Sequence, residues 1–286
     1  MWTLLSLLKE AENYLKENRI PSPRLESEVL LAHTLSFDRI KLYTHFSRPV
    51  ETHELDRFRE LIKRRVKGEP TAYITNRKEF FSLPFTVTSD VLIPRPESEE
   101  VVQAALDHIP GDGAGLDVLD LCTGSGCIIV ALLKLRPALR AVAVDRSSKA
   151  LAVAQGNAEQ NGVADRVRFS CGDLLHPLKK ASPGISFHLI TCNPPYVDPD
   201  GPHPVDRSVV SFEPGDAVFT PTGDALHYYR TILEEGKPVL KDSGTLIFEM
   251  GAGMRRPLES LALDLGWRIR GVRKDLAGIE RVMLLF

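Results

Sequence analysis

From Asp117 to the C-terminus the chain alternates short β-prone runs with amphipathic ones. This rhythm constrains the architecture more than any single motif. DVLDL, RAVAVD, RVRFSCGD, FHLITCN and GTLIFEM read as strands. CIIVALLKL, SKALAVAQGNAEQN, ALHYYRTILEEGKPVL and RRPLESLALDLG read as helices. A strand whose neighbour is reached through a helix is placed parallel to it. The expected fold is therefore an open, doubly wound α/β sheet, mostly parallel. The last two runs, WRIRGVRKD and RVMLLF, have no helix between them. They predict an antiparallel hairpin at one side, so the sheet is mixed.

Upstream the pattern differs, and residues 1 to about 75 read as helical throughout. Leu4, Leu8, Ala11 and Leu15 mark one face of a first helix. Ser22 and Pro23 suggest a cap and a first helical position for a second. A third runs from about Glu51 to Lys67, with Leu55, Phe58, Leu61, Ile62 and Val66 as its apolar stripe and Gly68 closing it. The cations Lys63, Arg64, Arg65 and Lys67 complement the end of that helix. Next, EFF and FTVT read as short strands around a Ser-Leu-Pro turn, and Pro94 and Pro96 mark a linker. A helix is expected from about Glu97 to His108. The implied organisation is a small all-helical domain over 1–75, a β-hairpin and linker over 76–97, and an α/β domain over 98–286.

Composition narrows the function. Net charge is −2, so no global basic field favours nucleic acid. The N-terminus lacks a basic n-region, and Lys9, Glu10 and Glu12 interrupt its apolar start, which is unlike a signal peptide. No run has the length of a membrane span. Cys122, Cys127, Cys171 and Cys192 form no C-x-x-C pair and have no nearby histidines. Zinc and disulfide readings are therefore weak, no metal is expected, and free thiols in a reducing cytoplasm are the default.

Two constellations carry chemistry. The first strand of the sheet ends in DLCTGSGC, Asp120 to Cys127. A glycine-rich turn there lets backbone approach a ligand closely, at a helix N-terminus. Asp145 closes the next strand nineteen residues after Gly126, where such folds place an acid on ribose hydroxyls. The loop is not G-x-G-x-x-G and has no lysine for a triphosphate. D-x-x-x-G-x-G with an acid one strand later resembles the S-adenosylmethionine loop of class I methyltransferases. That resemblance implies a cofactor site at Cys122, Thr123, Gly124, Ser125, Gly126 and Asp145. It adds Asp173 and Leu174 after the third strand, and Asn193. Asp173 sits where the family contacts adenine, and reads equally as a helix cap or turn residue.

The second constellation is Asn193-Pro194-Pro195-Tyr196, after FHLITC, within TCNPPYVDPDGPHP. Adjacent prolines remove two N–H donors and fix φ twice, giving a rigid corner with free carbonyls. The plain alternative is a structural Asn-Pro turn leaving a strand. In class I methyltransferases N-P-P-Y here marks transfer to a planar, conjugated nitrogen, in a base or a glutamine amide. An amide nitrogen is a weak nucleophile whose two N–H groups need acceptors that aim it. The Asn193 side-chain oxygen and the Pro194 carbonyl can supply them. The prolines hold both rigid, and Tyr196 offers a flat face. As positive charge grows on nitrogen, the same oxygens stabilise it. No His or Glu stands in the motif as a base.

The likeness extends over the whole chain. GEPTAY (Gly68–Tyr73), EFFSLPF (Glu79–Phe85), IPRPESE (Ile93–Glu99), DLCTGSGC, NPPYV, SFEP (Ser211–Pro214) and a Glu-Arg-Val ending at Val282 resemble the glutamine-N5 methyltransferases of class 1 peptide-chain release factors. The resemblance implies methyl transfer from S-adenosylmethionine to the glutamine of a Gly-Gly-Gln loop. It implies a helical domain that recognises the protein substrate, a catalytic domain over 98–286, and a cytoplasmic enzyme with no membrane or direct nucleic-acid partner. Asn193, Pro194 and Tyr196 would be catalytic, with Pro195 and Phe81 joining them around the substrate. Simple hairpin packing explains Phe81 equally well. The alternatives are a sister family acting on a large-subunit ribosomal protein and the nucleic-acid amino-methyltransferases. The chain departs from the usual pattern at Cys122, where Gly is usual, at Ser98, where Thr is usual, and at Met254, often Gln. Cys122 could narrow the cofactor loop.

Overall fold

The computed structural model describes residues 1–181, 184–201, 205–221 and 223–286. Residues 202–204, at the end of the TCNPPYVDPDGPHP stretch, lie outside them. Packing divides the chain into two compact units, Met1–Arg77 with Val205–Phe212, and Lys78–Pro204 with Glu213–Phe286. No helix among the described residues is long and apolar enough to cross a membrane.

The first unit holds α1 (Leu4–Glu17), α2 (Pro23–Leu35), α3 (Arg39–Thr44), α4 (Thr52–Val66) and α5 (Thr71–Thr75). Thr3 and Ser6 cap α1 reciprocally, and Leu4, Leu7, Leu8, Ala11 and Leu15 are its buried face. Pro23 opens α2 as expected, but Ser22 sits at φ +49° and its side chain caps nothing. A left-handed entry turns the hydroxyl away from the orphan N–H groups that a cap serves. The cations ending α4 are bound to carboxylates: Arg64 Nε to Glu69 at 2.7 Å and Arg65 Nε to Glu26 at 2.7 Å. Gly68 takes φ +100° past that helix, and a Cβ there would meet the Phe212 ring at 3.4 Å.

The second unit opens on a hairpin, β1 (Arg77–Phe80) and β2 (Leu83–Thr86), followed by α6 (Glu99–Leu106). Its turn is Phe81–Ser82, at φ +51° and +58°, rather than the expected Ser-Leu-Pro. Two consecutive left-handed residues match the twist of paired strands, so a two-residue loop closes the hairpin even without glycine. Glu99 Oε1 accepts the Phe81 N–H at 2.8 Å and helps hold it.

The sheet follows: β3 (Asp117–Leu121), α7 (Cys127–Leu135), β4 (Arg140–Asp145), α8 (Ser148–Gln160), β5 (Val167–Cys171), α9 (His176–Ala181) and β6 (Phe187–Cys192). After α10 (Arg207–Phe212), which belongs to the first unit, come α11 (Gly215–Val218), α12 (His227–Gly236) and β7 (Leu240–Glu249). The chain ends in α13 (Arg255–Asp264), β8 (Ile269–Lys274) and β9 (Glu280–Leu285). Strand order is β5-β4-β3-β6-β7-β9-β8. All neighbours are parallel except β9, antiparallel to both β7 and β8. The doubly wound mixed sheet and its C-terminal hairpin are thus as the sequence predicts, with β9 inserted inside the edge.

Both faces are covered, and side chains alternate between them with period two. Val118, Ala141, Ala143 and Leu189 point into one core, with α6 and α7. Leu119, Leu121, Val142, Val144 and Ile190 point into the other, with α12 and α13. Strand order reverses at β3, whose neighbours β4 and β6 lie on its two sides. Such a reversal opens a crevice at the strand C-termini.

Candidate active site

The loop after β3 is shaped by two acids. Asp120 is buried, and its carboxylate accepts the hydroxyls of Thr123 and Thr191, each at 2.6 Å. Burial pushes its carboxyl up to about 6. Asp145 Oδ2 accepts the Gly124 N–H at 2.8 Å, and Oδ1 accepts the Ser147 N–H at 2.9 Å. It therefore ties the loop after β3 to the start of α8. Burial raises its pKa above the ordinary carboxylate value, against those hydrogen bonds.

The loop backbone is left-handed at Cys122 (φ +55°), Gly124 (+53°) and Gly126 (+78°). The first angle gives the physical reason for a usual glycine at 122, since a side chain there costs about 1–2 kcal/mol. At Gly126 the reason is also contact: a Cβ would lie 3.1 Å from the Cβ of Ala154 on α8. Asn157 of α8 braces the loop from behind, donating to Ser125 O at 2.9 Å and to Thr86 O of the hairpin at 3.0 Å.

These groups wall a cavity of about 380 Å³ at the C-terminal ends of the strands. The structure brings Cys122, Thr123, Gly124, Ser125, Asp145, Asp173, Leu174, Asn193 and Pro195 to its surface. Gly126 lies behind the lining. Pro194 is buried beside it, and Tyr196 packs under the corner, where a Cβ on Gly251 would meet its ring at 3.0 Å. Phe81 does not reach this wall; it packs on the core around Phe80 and Phe85.

Other lining residues were not singled out from sequence. Val91, Leu92, Pro94 and Arg95 form one rim, and Pro214 to Ala217 another. Glu213 joins the two, accepting the Ile93 N–H at 3.1 Å and pairing with Arg95. The signal was present in IPRPESE and SFEP, but only the fold reveals that one motif supplies the cation and the other its acid. Behind the corner, Ser98 donates to Glu249, Asn193 Nδ2 donates to Ser98 Oγ at 3.3 Å, and Tyr196 Oη donates to Glu249 Oε1 at 3.5 Å. Burial pushes the Glu249 carboxyl up to about 7 and raises the Tyr196 phenol.

The cavity suits an adenosine carrying a sulfonium side chain. Its loop lets backbone approach closely, a half-buried acid ends β4, and an exposed acid beside the apolar Leu174 flanks the far end. Fold and site together define a class I S-adenosylmethionine-dependent methyltransferase. Residues 112–256 match the family described as methyltransferase domain, and residues 6–75 match the one described as PrmC N-terminal domain. A "Release factor glutamine methyltransferase" of Leptospira interrogans is 37% identical over 99% of this chain and 98% of its own. A protein of the same name from Nitratidesulfovibrio vulgaris is 38% identical over 98% of this chain and 93% of its own. A methyltransferase structure from Pyrococcus furiosus shares the fold, with TM-score 0.52 at 16% identity, covering 72% of this chain and 90% of that one. The chain belongs to the release factor glutamine methyltransferase family.

Proposed function

We propose that this enzyme transfers a methyl group from S-adenosylmethionine to the side-chain amide nitrogen of the glutamine in the Gly-Gly-Gln motif of class 1 release factors. The observation that carries the reading is the shared wall: Asn193 and Pro195 face the same cavity as the loop and Asp145. Bound S-adenosylmethionine supplies the activated methyl group on its sulfonium sulfur. Cys122 to Gly126 cradle the cofactor, Asp145 takes the ribose hydroxyls, and Asp173 and Leu174 flank the adenine.

Asn193 Oδ1 and Pro194 O accept the two N–H groups of the glutamine amide and aim its nitrogen across the cavity. Pro195 keeps that pair rigid. Tyr196 supports the planar group. Because the developing ammonium is acidic, its proton can leave to solvent, and the two oxygens stabilise it until then. The helical domain recognises the surface of the release factor, and the reaction takes place in the cytoplasm. Incubation with labelled cofactor and recombinant release factor tests this. Label should enter the wild-type factor and not its Gln→Ala variant. Equal labelling of both, or label in RNA and none in protein, overturns the reading.

A further inference from the structure

An asparagine amide has two ends of opposite polarity, and only one suits this corner. A substrate NH2 group brings donors, so Asn193 must meet it with Oδ1; a flipped amide would set donor against donor. Nothing in the Asn-Pro-Pro-Tyr motif itself decides between the two.

The decision is made behind it. Glu249 ends β7 at 1% exposure, and Ser98 is 2% exposed. The Ser98 hydroxyl donates to Glu249 Oε2, and Ser98 Oγ accepts from Asn193 Nδ2 at 3.3 Å. A hydroxyl has a single proton, and an ionised carboxylate has none. Glu249 therefore claims the Ser98 proton, which leaves Ser98 only lone pairs to offer Asn193. Asn193 answers with Nδ2, and Oδ1 is the end left for the cavity that this residue lines. The other carboxylate oxygen takes the Tyr196 hydroxyl at 3.5 Å, so the same acid holds the ring. Its backbone carbonyl is fixed in turn by Tyr229 Oη at 2.7 Å.

We propose that Ser98 and Glu249 are positioning residues that set the polarity of the Asn193 amide and hold Tyr196 for transfer. The inference rests on the function proposed above. Serine and threonine should serve equally here, since either hydroxyl relays the same proton.

The test is Glu249→Gln, with Ser98→Ala and Ser98→Thr beside it. A glutamine can donate to Ser98 Oγ, freeing the serine proton for Asn193 Oδ1 and reversing the relay. For Glu249→Gln and Ser98→Ala, kcat on the release factor should fall about 100-fold, as for other losses of transition-state orientation. KM for the factor and cofactor affinity should change little. Ser98→Thr should retain wild-type kcat. The thermal midpoint of Glu249→Gln should hold or rise, because a neutral amide replaces a buried acid.

A pH series adds a readout that a merely structural role would not move. Burial pushes the Glu249 carboxyl up to about 7, with Glu97 adding to the rise and Ser98, Arg281 and Tyr196 opposing it. Wild-type kcat should fall as pH drops through about 7, while Glu249→Gln should be flat. Active wild-type enzyme with unaltered kcat in Glu249→Gln overturns this inference alone. A wild-type enzyme that leaves the release factor unmethylated overturns the function, and the inference with it. If Glu249→Gln does not fold, the serine pair decides: equal kcat in Ser98→Ala and Ser98→Thr overturns the proposal.

Discussion

Asp145→Asn isolates what the half-buried acid at the end of β4 contributes. In the wild type its two oxygens accept the Gly124 and Ser147 N–H groups at 2.8 and 2.9 Å. Asparagine keeps one carbonyl oxygen, so one of those N–H groups must face an NH2. A buried donor left without an acceptor costs about 1–3 kcal/mol. With Asp145 taking the ribose hydroxyls as proposed, those hydroxyls also lose a charged acceptor in favour of a neutral one. Together these come to roughly 2–3 kcal/mol, or a cofactor affinity weaker by about 30- to 150-fold.

Folding stability should change less. The carboxylate is held above its ordinary pKa by burial, so replacing it with a neutral amide removes an unfavourable charge and offsets the lost bonds. The assay is calorimetric titration of S-adenosylmethionine, with a thermal melt on the same sample. The reasoning is refuted if affinity stays within a factor of about three, or if the melt collapses while affinity is kept.

Three further outcomes follow from the same geometry. Cys122→Gly should keep or raise stability by up to about 1–2 kcal/mol, because φ +55° suits glycine, whereas Cys122→Val should lower it, because a β-branched side chain fits that angle worse than cysteine; denaturant titration of both checks this. Gly251→Val should cut kcat while cofactor binding persists, because a Cβ there meets the Tyr196 ring at 3.0 Å and Met254 Sδ at 2.9 Å; equal losses in both refute it. Asp120 gives a pH signature: its folded value, about 6, lies above the ordinary 3.8, so its ionised form weakens the fold. Relative to Asp120→Asn, the wild type should lose roughly 2 kcal/mol of unfolding free energy between pH 4 and 7. A difference that does not vary with pH contradicts the assignment.

The parallel sheet was legible because its central strands β3, β4 and β6 are buried on both faces and read as short β-prone runs between helices. Placing β9 inside β8 was not, since both orders satisfy the same hairpin; β9 is the strand that buries Val282 to Leu285. The cofactor loop was legible because glycine spacing and the following acid are local in sequence. What escaped was every contact between distant segments. Glu213 meets Arg95, and Glu249 meets Ser98, across more than a hundred residues, and no periodicity relates them. The hairpin turn was misread because proline drew the turn to Ser-Leu-Pro, while the left-handed pair Phe81–Ser82 carries no glycine to announce itself.

The central claim is that the cavity delivers a methyl group to one amide nitrogen. Mass spectrometry of the Gly-Gly-Gln peptide, from release factor incubated with cofactor and with or without this enzyme, tests it most directly. The glutamine should gain one methyl group, dependent on enzyme and abolished by Asn193→Ala. An unmodified glutamine, or a methyl group on another residue of the factor, would contradict it.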